Sequence, residues 1–353
     1  MTLKRTTTRF PLNTLAIAFG LAGLANVWTA ATAALNLTPV FAVIAWLLAL
    51  AAWVWLIVAH LDRGRRSTST LRSQLRDPIQ GPIAALVPVV GMLLAAALRV
   101  VWLDTARILV VVFICLTAAF AAWLLSTWLR GGLEIDAVHG GYFLPTVAGG
   151  FIAAITAAEV GLPAVAVGAF AVGAFFWAVM FALIGARLMF RPPLPTPLVP
   201  TLAIFVAPPA VAGTAWYSIV GATDPIAVGL AGLTILMLLV QLSLIPFYRR
   251  LPFSLGFWSF TFPFAAVAAD GIGWLARLHP WGWPVPVIVS TAIITALVAA
   301  IAIKSIRLRF PEHHPTDTPA VAPAPTGSSM PSLAVDVAAS TRLAVMPQRE
   351  QIP

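Results

Sequence analysis

Ten apolar runs, most about 20 residues long, partition this chain, at roughly 11–33, 38–60, 82–101, 105–129, 142–158, 162–186, 198–220, 225–247, 252–275 and 281–303. As a helix, a run of that length crosses a hydrocarbon core of about 30 Å. In lipid, each backbone N–H and C=O must find its partner inside the protein, which leaves helices as the reading for all ten. The separators are chemically distinct: Asn36-Leu37-Thr38-Pro39, the polar stretch Asp62 to Gln80, Arg130 to Gly141, Arg191-Pro192-Pro193-Leu194-Pro195, Asp224-Pro225 and Tyr248-Arg249-Arg250. Charged residues are 9% of the chain, against roughly 25% in a soluble domain. That is too little to clothe an aqueous surface, which argues against a water-soluble enzyme, a disordered regulator or a fibre. The expected fold class is all-α integral membrane, with a ten-span pore domain over residues 1–309 and a tail over 310–353.

The formal charge of +9 raises nucleic-acid binding as a reading, but the basic residues sit in short clusters between apolar runs, as a topology signal does. Sixteen Lys and Arg fall at one set of span ends, from Lys4 and Arg5 through Arg63, Arg130, Arg187 and Arg249 to Arg309; only Arg99, Arg107 and Arg277 fall at the other. That asymmetry and the even span count place both termini in the cytoplasm, with the protein multi-pass in the plasma membrane and no nucleic-acid partner. Lys4-Arg5 followed by an apolar stretch and Ala30-Ala31-Thr32-Ala33-Ala34 mimics a cleavable signal peptide. The stretch is longer than the usual apolar region of such a peptide, and its removal would leave nine spans. Cys115 lies inside an apolar run and has no second thiol to pair with. From Pro311 the chain is rich in Pro, Ala, Thr and Ser without apolar periodicity and reads as a disordered cytoplasmic tail; His313-His314 within it lack further metal ligands.

The prolines carry a repeat. Pro88, Pro145, Pro208-Pro209 and Pro263 fall inside spans three, five, seven and nine, whereas Pro39, Pro163, Pro225, Pro284 and Pro286 stand at the starts of even spans, where a first-turn proline is harmless. Glycines also collect in odd spans: Gly20, Gly23, Gly91, Gly149-Gly150 and Gly213. Interrupted helices at membrane depth are tolerated where they line a cavity. The chain therefore reads as five tandem helix hairpins, with odd helices kinked around a central pore and even helices bracing them. Gly20, Pro88, Gly149, Pro208 and Pro263 are the expected pore-lining or hinge positions.

Ionisable groups are scarce inside the spans. Glu159, Asp224, Asp270 and Arg277 fall near span ends; Asp270 is the most interior and is expected either to pair with Arg277 two turns on or to handle a proton. A pore without fixed acids does not attract cations, and kinked helices are expected to expose N–H groups that suit anions. The basic collar would raise the local anion concentration. Span nine is the most aromatic, with Phe253 to Phe264 beside Pro263. Phe260 and Phe262 lie about 200° apart on a helix, so only one of them can face and block a central pore.

These residues resemble the tellurite-resistance/dicarboxylate transporter family, which includes the TehA-like bacterial proteins and the plant slow anion channels. The likeness covers about residues 10–305. It rests on Phe10-Pro11-Leu12 with Phe19-Gly20-Leu21-Ala22-Gly23-Leu24, on Gly131-Gly132 to His139 with Tyr142-Phe143-Leu144-Pro145, on Ile204-Phe205-Val206-Ala207-Pro208-Pro209, and on Gly256-Phe257-Trp258-Ser259-Phe260-Thr261-Phe262. The resemblance implies five tandem hairpins, a homotrimer with one pore per subunit, and an anion channel or carrier. It places the occluding phenylalanine at Phe262, with Phe260 as the alternative. Pro263 resembles the plant channels, where TehA-like members can carry Gly. The implied substrates are small inorganic anions or C4-dicarboxylates such as malate; sulfite and tellurite-related anions also occur in the family.

Three functions therefore compete. The first is a passive anion channel gated by Phe262. The second is a proton-coupled exporter of an organic or toxic anion, with Asp270 or Glu159 titrating. The third is a membrane enzyme using His60, Asp62 and His139, for which no metal-ligand spacing, nucleophile elbow or phosphate loop appears. No cofactor and no metal is expected. His139 itself is a candidate anion contact at the vestibule or a loop residue hydrogen-bonded near Gly140-Gly141.

Overall fold

The computed structural model describes residues 9–309; the expected tail, His313-His314 and the basic residues Lys4 and Arg5 lie outside the described residues. Ten helices within that range are long and apolar enough to cross a membrane: α1 (Leu12–Leu35), α2 (Val40–Arg66), α3 (Gly81–Val100), α4 (Leu103–Trp128), α5 (Gly140–Glu159), α6 (Pro163–Phe190), α7 (Thr196–Val220), α8 (Pro225–Ser243), α9 (Leu255–Leu278) and α10 (Pro284–Leu308). The described residues contain no strand.

The odd helices form a closed ring. Helix α1 packs on α3, α3 on α5, α5 on α7, α7 on α9, and α9 back on α1. Each even helix packs outside its preceding odd partner and, for α2, α4, α6 and α10, also touches the next odd helix round the ring. Burial follows the ring: 50–83% of each odd span is buried inside the protein, against 17–28% of each even span. The exposed faces of the even helices carry Leu47, Phe175 and Ile235, side chains that lipid solvates.

Apolar side chains gain nothing by leaving lipid for each other, so close approach at small residues and interhelical hydrogen bonds carry the association. A Cβ on Gly20 of α1 would run into Thr261 of α9, and one on Gly150 of α5 would lie 2.6 Å from the Gly173 backbone of α6. The even helices also donate to backbone carbonyls of the odd ones: Trp53 Nε1 to Val87 O (2.9 Å) and Gln241 Nε2 to Leu202 O (3.0 Å). Tyr248 Oη donates to Gln241 Oε1 and holds that amide in place.

Four of the five hairpin turns share one construction; the α3–α4 turn, through Val101 and Trp102, has neither a left-handed residue nor a proline. Helices α1, α7 and α9 end at left-handed residues, Asn36, Gly221 and His279, and α5 ends just before left-handed Gly161. A proline then opens or caps the following even helix at Pro39, Pro163, Pro225 and Pro284. A left-handed residue closes a helix and a first-turn proline starts the next without costing a hydrogen bond.

Each odd span has a second feature. All five begin as 3₁₀-helix, over Leu12–Thr14, Gly81–Ala85, Gly140–Phe143, Thr196–Val206 and Leu255–Phe260, and become α-helical deeper in; in α5 a π-helical turn, Leu144–Ala148, comes between. Pro88, Pro208-Pro209 and Pro263 lie in the first turn of the α-helical part, and Pro145 in that of the π turn. The prolines thus mark the joins between two helix types.

Candidate functional site

At the 3₁₀ end of the ring is a narrow cavity of about 70 Å³, partly open to solvent, whose wall is built from all five odd spans and from no even one. Its polar side chains are Asn13, His139, Thr201 and Ser259; none of the lining residues is Asp, Glu, Lys or Arg. The Asn13 Oδ1 is buried and has no hydrogen-bond partner among the described residues.

Phe262 lines this cavity and is 7% exposed. Its ring lies flat on Phe19 of α1, centroids 3.6 Å apart and planes within 12°. The seat is cut by glycine: a Cβ on Gly23 would stand 3.1 Å from the Phe262 ring and 3.2 Å from its Cα. Phe260 is equally buried but does not line the cavity; it packs among Tyr248, Phe257 and Phe264. The two rings thus face different ways, as their helical spacing requires. Phe19 escaped the sequence reading as a site residue. The available signal was its neighbourhood, since two glycines three apart on one face mark a helix-to-helix contact, and the residue beside them meets whatever comes close.

Of the five expected pore or hinge positions, Pro208 and Pro263 line the cavity. Gly20, Pro88 and Gly149 do not: Gly20 faces Thr261 and Trp258, Gly149 faces Thr117 of α4, and Pro88 is buried in the core. The expectation of exposed N–H donors at the kinks is overturned. The first N–H of each segment after the five 3₁₀ or π stretches is already bonded: Leu15 to Leu12 O and Asn13 O, Leu86 to Ile83 O and Ala84 O, Gly149 to Leu144 O and Thr146 O, Ala207 to Ile204 O, and Thr261 to Trp258 O. A 3₁₀ turn feeding an α-helix satisfies the very donors that a free helix start leaves open.

His139 is fully buried at the cavity rim. The Gly141 N–H donates to its Nδ1 (3.1 Å), so the proton sits on Nε2, which donates to Ile79 O at 3.0 Å. Burial pushes its pKa down to about 4, with nearby Arg187 adding to the shift and the bond to Ile79 opposing it. The ring is therefore neutral at ordinary pH. Tyr142 Oη donates to Pro78 O, and the Asp77 carboxylate accepts from the N–H groups of Ile79 and Gln80. From the other side, Arg191 grips Asp136 through two hydrogen bonds (2.9 and 3.1 Å), which holds that carboxyl below its usual range. Buried Arg187 donates to Pro192 O and Asp136 O. These bonds tie three loops into a rim, and arginine is present there as a structural tie as well as a charge.

Asp270 is 5% exposed and receives one long hydrogen bond, from Thr214 Oγ1 at 3.4 Å. The expected pairing with Arg277 is not formed: no ion pair joins them, and Arg277 lies over the rings of Tyr217 and Trp274. Glu159 pairs with Arg99 at 3.3 Å, and Asp224 caps α8 through Ala227 N and accepts from Trp216 Nε1. The residues weighed for an enzyme are each engaged locally: His60 Nδ1 with Leu56 O, Asp62 with Arg66, and His139 as above. Among the described residues no three His, Cys, Asp or Glu are grouped to hold a metal.

The family described as "SLAC1: Voltage-dependent anion channel" matches residues 9–308. The guard cell S-type anion channel SLAC1 of Arabidopsis thaliana is 26% identical over 314 residues, covering 86% of this chain and 56% of that protein. The S-type anion channel SLAH2 of the same plant is 26% identical over 275 residues, 75% of this chain and 52% of that protein. The tellurite resistance protein TehA homolog of Haemophilus influenzae is 26% identical over 274 residues, 73% of this chain and 80% of that protein. The chain thus spans about half the length of these two plant relatives.

Proposed function

The chain belongs to the SLAC1 voltage-dependent anion channel family, and on that premise we propose that it conducts small anions through the ring of odd helices, along a path occluded by Phe262. The observation that carries this reading is the cavity itself, walled by all five odd spans with the Phe262–Phe19 stack in its lining.

The chemistry supports the sign of the charge. No carboxylate lines the wall, and His139 is neutral, so the cavity offers a cation no partner and an anion no trap. An apolar constriction gates by excluding water, and Phe262 with Phe19 supplies one. Attraction comes from outside the throat, from the basic residues gathered at the 3₁₀ end, which concentrate anions through the field they sum to. The substrates proposed are small inorganic anions, with C4-dicarboxylates as a second class; the name of the Haemophilus relative suggests tellurite resistance as a further setting. The same reading makes the protein a homotrimer in the plasma membrane, with the basic rim and both termini on the cytoplasmic side.

The test is anion flux in liposomes holding purified protein. Phe262→Ala is expected to raise chloride flux several-fold while Phe260→Ala leaves it near the parent level. Unchanged or reduced flux in Phe262→Ala sinks the gate. A proton-coupled exporter is the second reading, favoured by one observation: a carboxylate buried deep in α9 with a single long hydrogen bond.

A further inference from the structure

Three basic residues stand at the ends of the bundle opposite the basic rim, and two of them have acid partners. Arg99 lies 3.3 Å from Glu159; Arg107 lies 3.6 Å from Asp104 and donates its Nε–H to Val160 O. Arg277 differs. Among the described residues no carboxylate lies within ion-pair distance of it, and its Nε is buried with no hydrogen-bond partner. Its guanidinium carbon lies 4.0 Å from the Tyr217 ring centroid and 4.8 Å from that of Trp274. Gly273, one turn back, leaves room for it: a Cβ there would stand 3.2 Å from Nη1.

The position of Arg277 on α9 matters as much as its surroundings. The α-helical part of α9 runs unbroken over Thr261–Leu278. At about 100° per residue, Phe262, Ala266, Gly273 and Arg277 fall within a stripe about 60° wide, and Arg277 lies about 22 Å beyond Phe262 along the axis. Asp270 borders that stripe but turns to Thr214 and Gly213 of α7. The face that presents Phe262 to the cavity thus ends on a cation held over two aromatic faces. Ring faces hold a guanidinium in place without neutralising it, unlike a carboxylate, so its donors stay available to a visiting anion.

We propose that Arg277 is an anion-binding site at the mouth of the pathway opposite the basic rim, taking a small monovalent anion of the chloride or nitrate class. The proposal rests on the anion-pathway reading above, and its test is chosen to stand apart from conduction. Iodide quenches indole fluorescence, and Trp274 reports on Arg277. In full-length protein in dodecyl maltoside, which carries no phosphate, iodide is titrated against the parent and against Trp274→Phe, and the difference gives the Trp274 signal. A quench that saturates with iodide is expected, retained in R277K and reduced several-fold to a linear, collisional slope in R277Q. Should R277Q not fold, chloride added to the parent, which does not itself quench indole, is expected to displace iodide and restore Trp274 emission. A linear Trp274 quench in the parent, one unaltered in R277Q, or no restoration by chloride overturns the proposal. In Phe262→Ala liposomes, R277Q is expected to raise the half-saturating chloride concentration for flux from the Arg277 side and not from the rim side. Absence of flux in Phe262→Ala sinks the pathway reading and leaves the fluorescence result to decide the site.

Discussion

Phe262 of α9 lies flat on Phe19 of α1, ring centroids 3.6 Å apart and planes within 12°, so the proposed plug is a pair of rings contributed by the first and last members of the odd ring. An aromatic pair is worth about 0.5–1.5 kcal/mol beyond its buried area. Phe19→Ala removes that hold while leaving the Phe262 side chain in place. The expected outcome is a chloride leak above the parent but below that of Phe262→Ala. The double variant should leak no more than Phe262→Ala, because the two rings act as one obstruction. Liposome flux on all four proteins checks this, and fully additive leaks would dismiss the pair as a unit.

The close approach that makes the stack possible is set at Gly20. A Cβ there would lie 2.8 Å from Thr261 Cβ and 3.0 Å from the Trp258 ring. Trp258 has little room to yield, since its Nε1 donates to Ser305 Oγ on α10 (3.0 Å). Overpacking of this kind costs about 1–3 kcal/mol. Gly20→Ala is expected to lower the apparent unfolding temperature in detergent, whereas Gly168→Ala, with nothing within 4 Å, should leave it level or raise it slightly.

His139 makes a prediction with a definite sign. Its folded pKa, near 4, lies below the ordinary value of 6.5. Between those values the unfolded chain binds a proton that the folded one refuses, so stability is greatest above about pH 6.5 and falls as pH drops toward 4. The parent protein should lose apparent unfolding temperature between pH 7 and pH 4.5 by more than His139→Asn does. Across pH 6 to 8 neither protein should show a step in anion flux traceable to this ring, because it stays neutral throughout.

Much of the architecture was legible in the residues. Ten apolar runs, prolines at the starts of even spans, and Pro88, Pro208 and Pro263 inside odd ones were enough to expect an inner and an outer ring. They were legible because lipid imposes one length and one satisfied backbone on every span. The 3₁₀ starts were not, since Thr196–Val206 differs from an α-helix in hydrogen-bond offset and not in composition, and that offset closed the N–H donors which the kinks were expected to open. The likeness to a known family put Phe262 ahead of Phe260, but Phe19 stayed hidden because stacking across 243 positions of chain leaves no local pattern. The Asp270–Arg277 pairing failed for a related reason. Seven residues put both on one face of α9, but Tyr217 of α7, absent from that helix's own sequence, is what Arg277 lies over.

Arg187 and Arg191 are four residues apart and both count as basic-end charges, yet their surroundings predict opposite responses. Arg187 is 2% exposed, and its guanidinium holds the carbonyls of Pro192 and Asp136. Arg191 is about half exposed and holds a carboxylate in water, where an ion pair contributes little. Arg187→Met is expected to leave the Pro192 and Asp136 carbonyls without the donor that ties them together, and to lower folded yield and apparent unfolding temperature clearly. Arg191→Ala should change neither measurably. Equal losses in the two variants would mean that the rim depends on charge and not on the bonds drawn here.

Asp270 decides between a channel and a coupled carrier. Buried on α9 with Thr214 Oγ1 at 3.4 Å and no ion pair among the described residues, it would be an expensive anion to keep in the membrane, and the substitution Asp270→Asn keeps its shape while fixing it neutral. A passive channel carries anions down their gradient whether or not protons can accompany them. On the reading favoured here, proteoliposomes given an inside-acid or inside-alkaline step at zero voltage do not accumulate chloride or malate against its gradient, and Asp270→Asn conducts at a rate close to the parent in the Phe262→Ala background. Uphill accumulation that follows the pH step and disappears in Asp270→Asn would instead assign the carboxyl a proton-carrying part and make the protein an exporter. A third pattern, in which Asp270→Asn raises flux with no uphill transport, would mean that the carboxylate repels the passing anion electrostatically, and the channel reading would stand with Asp270 as its rate-setting charge.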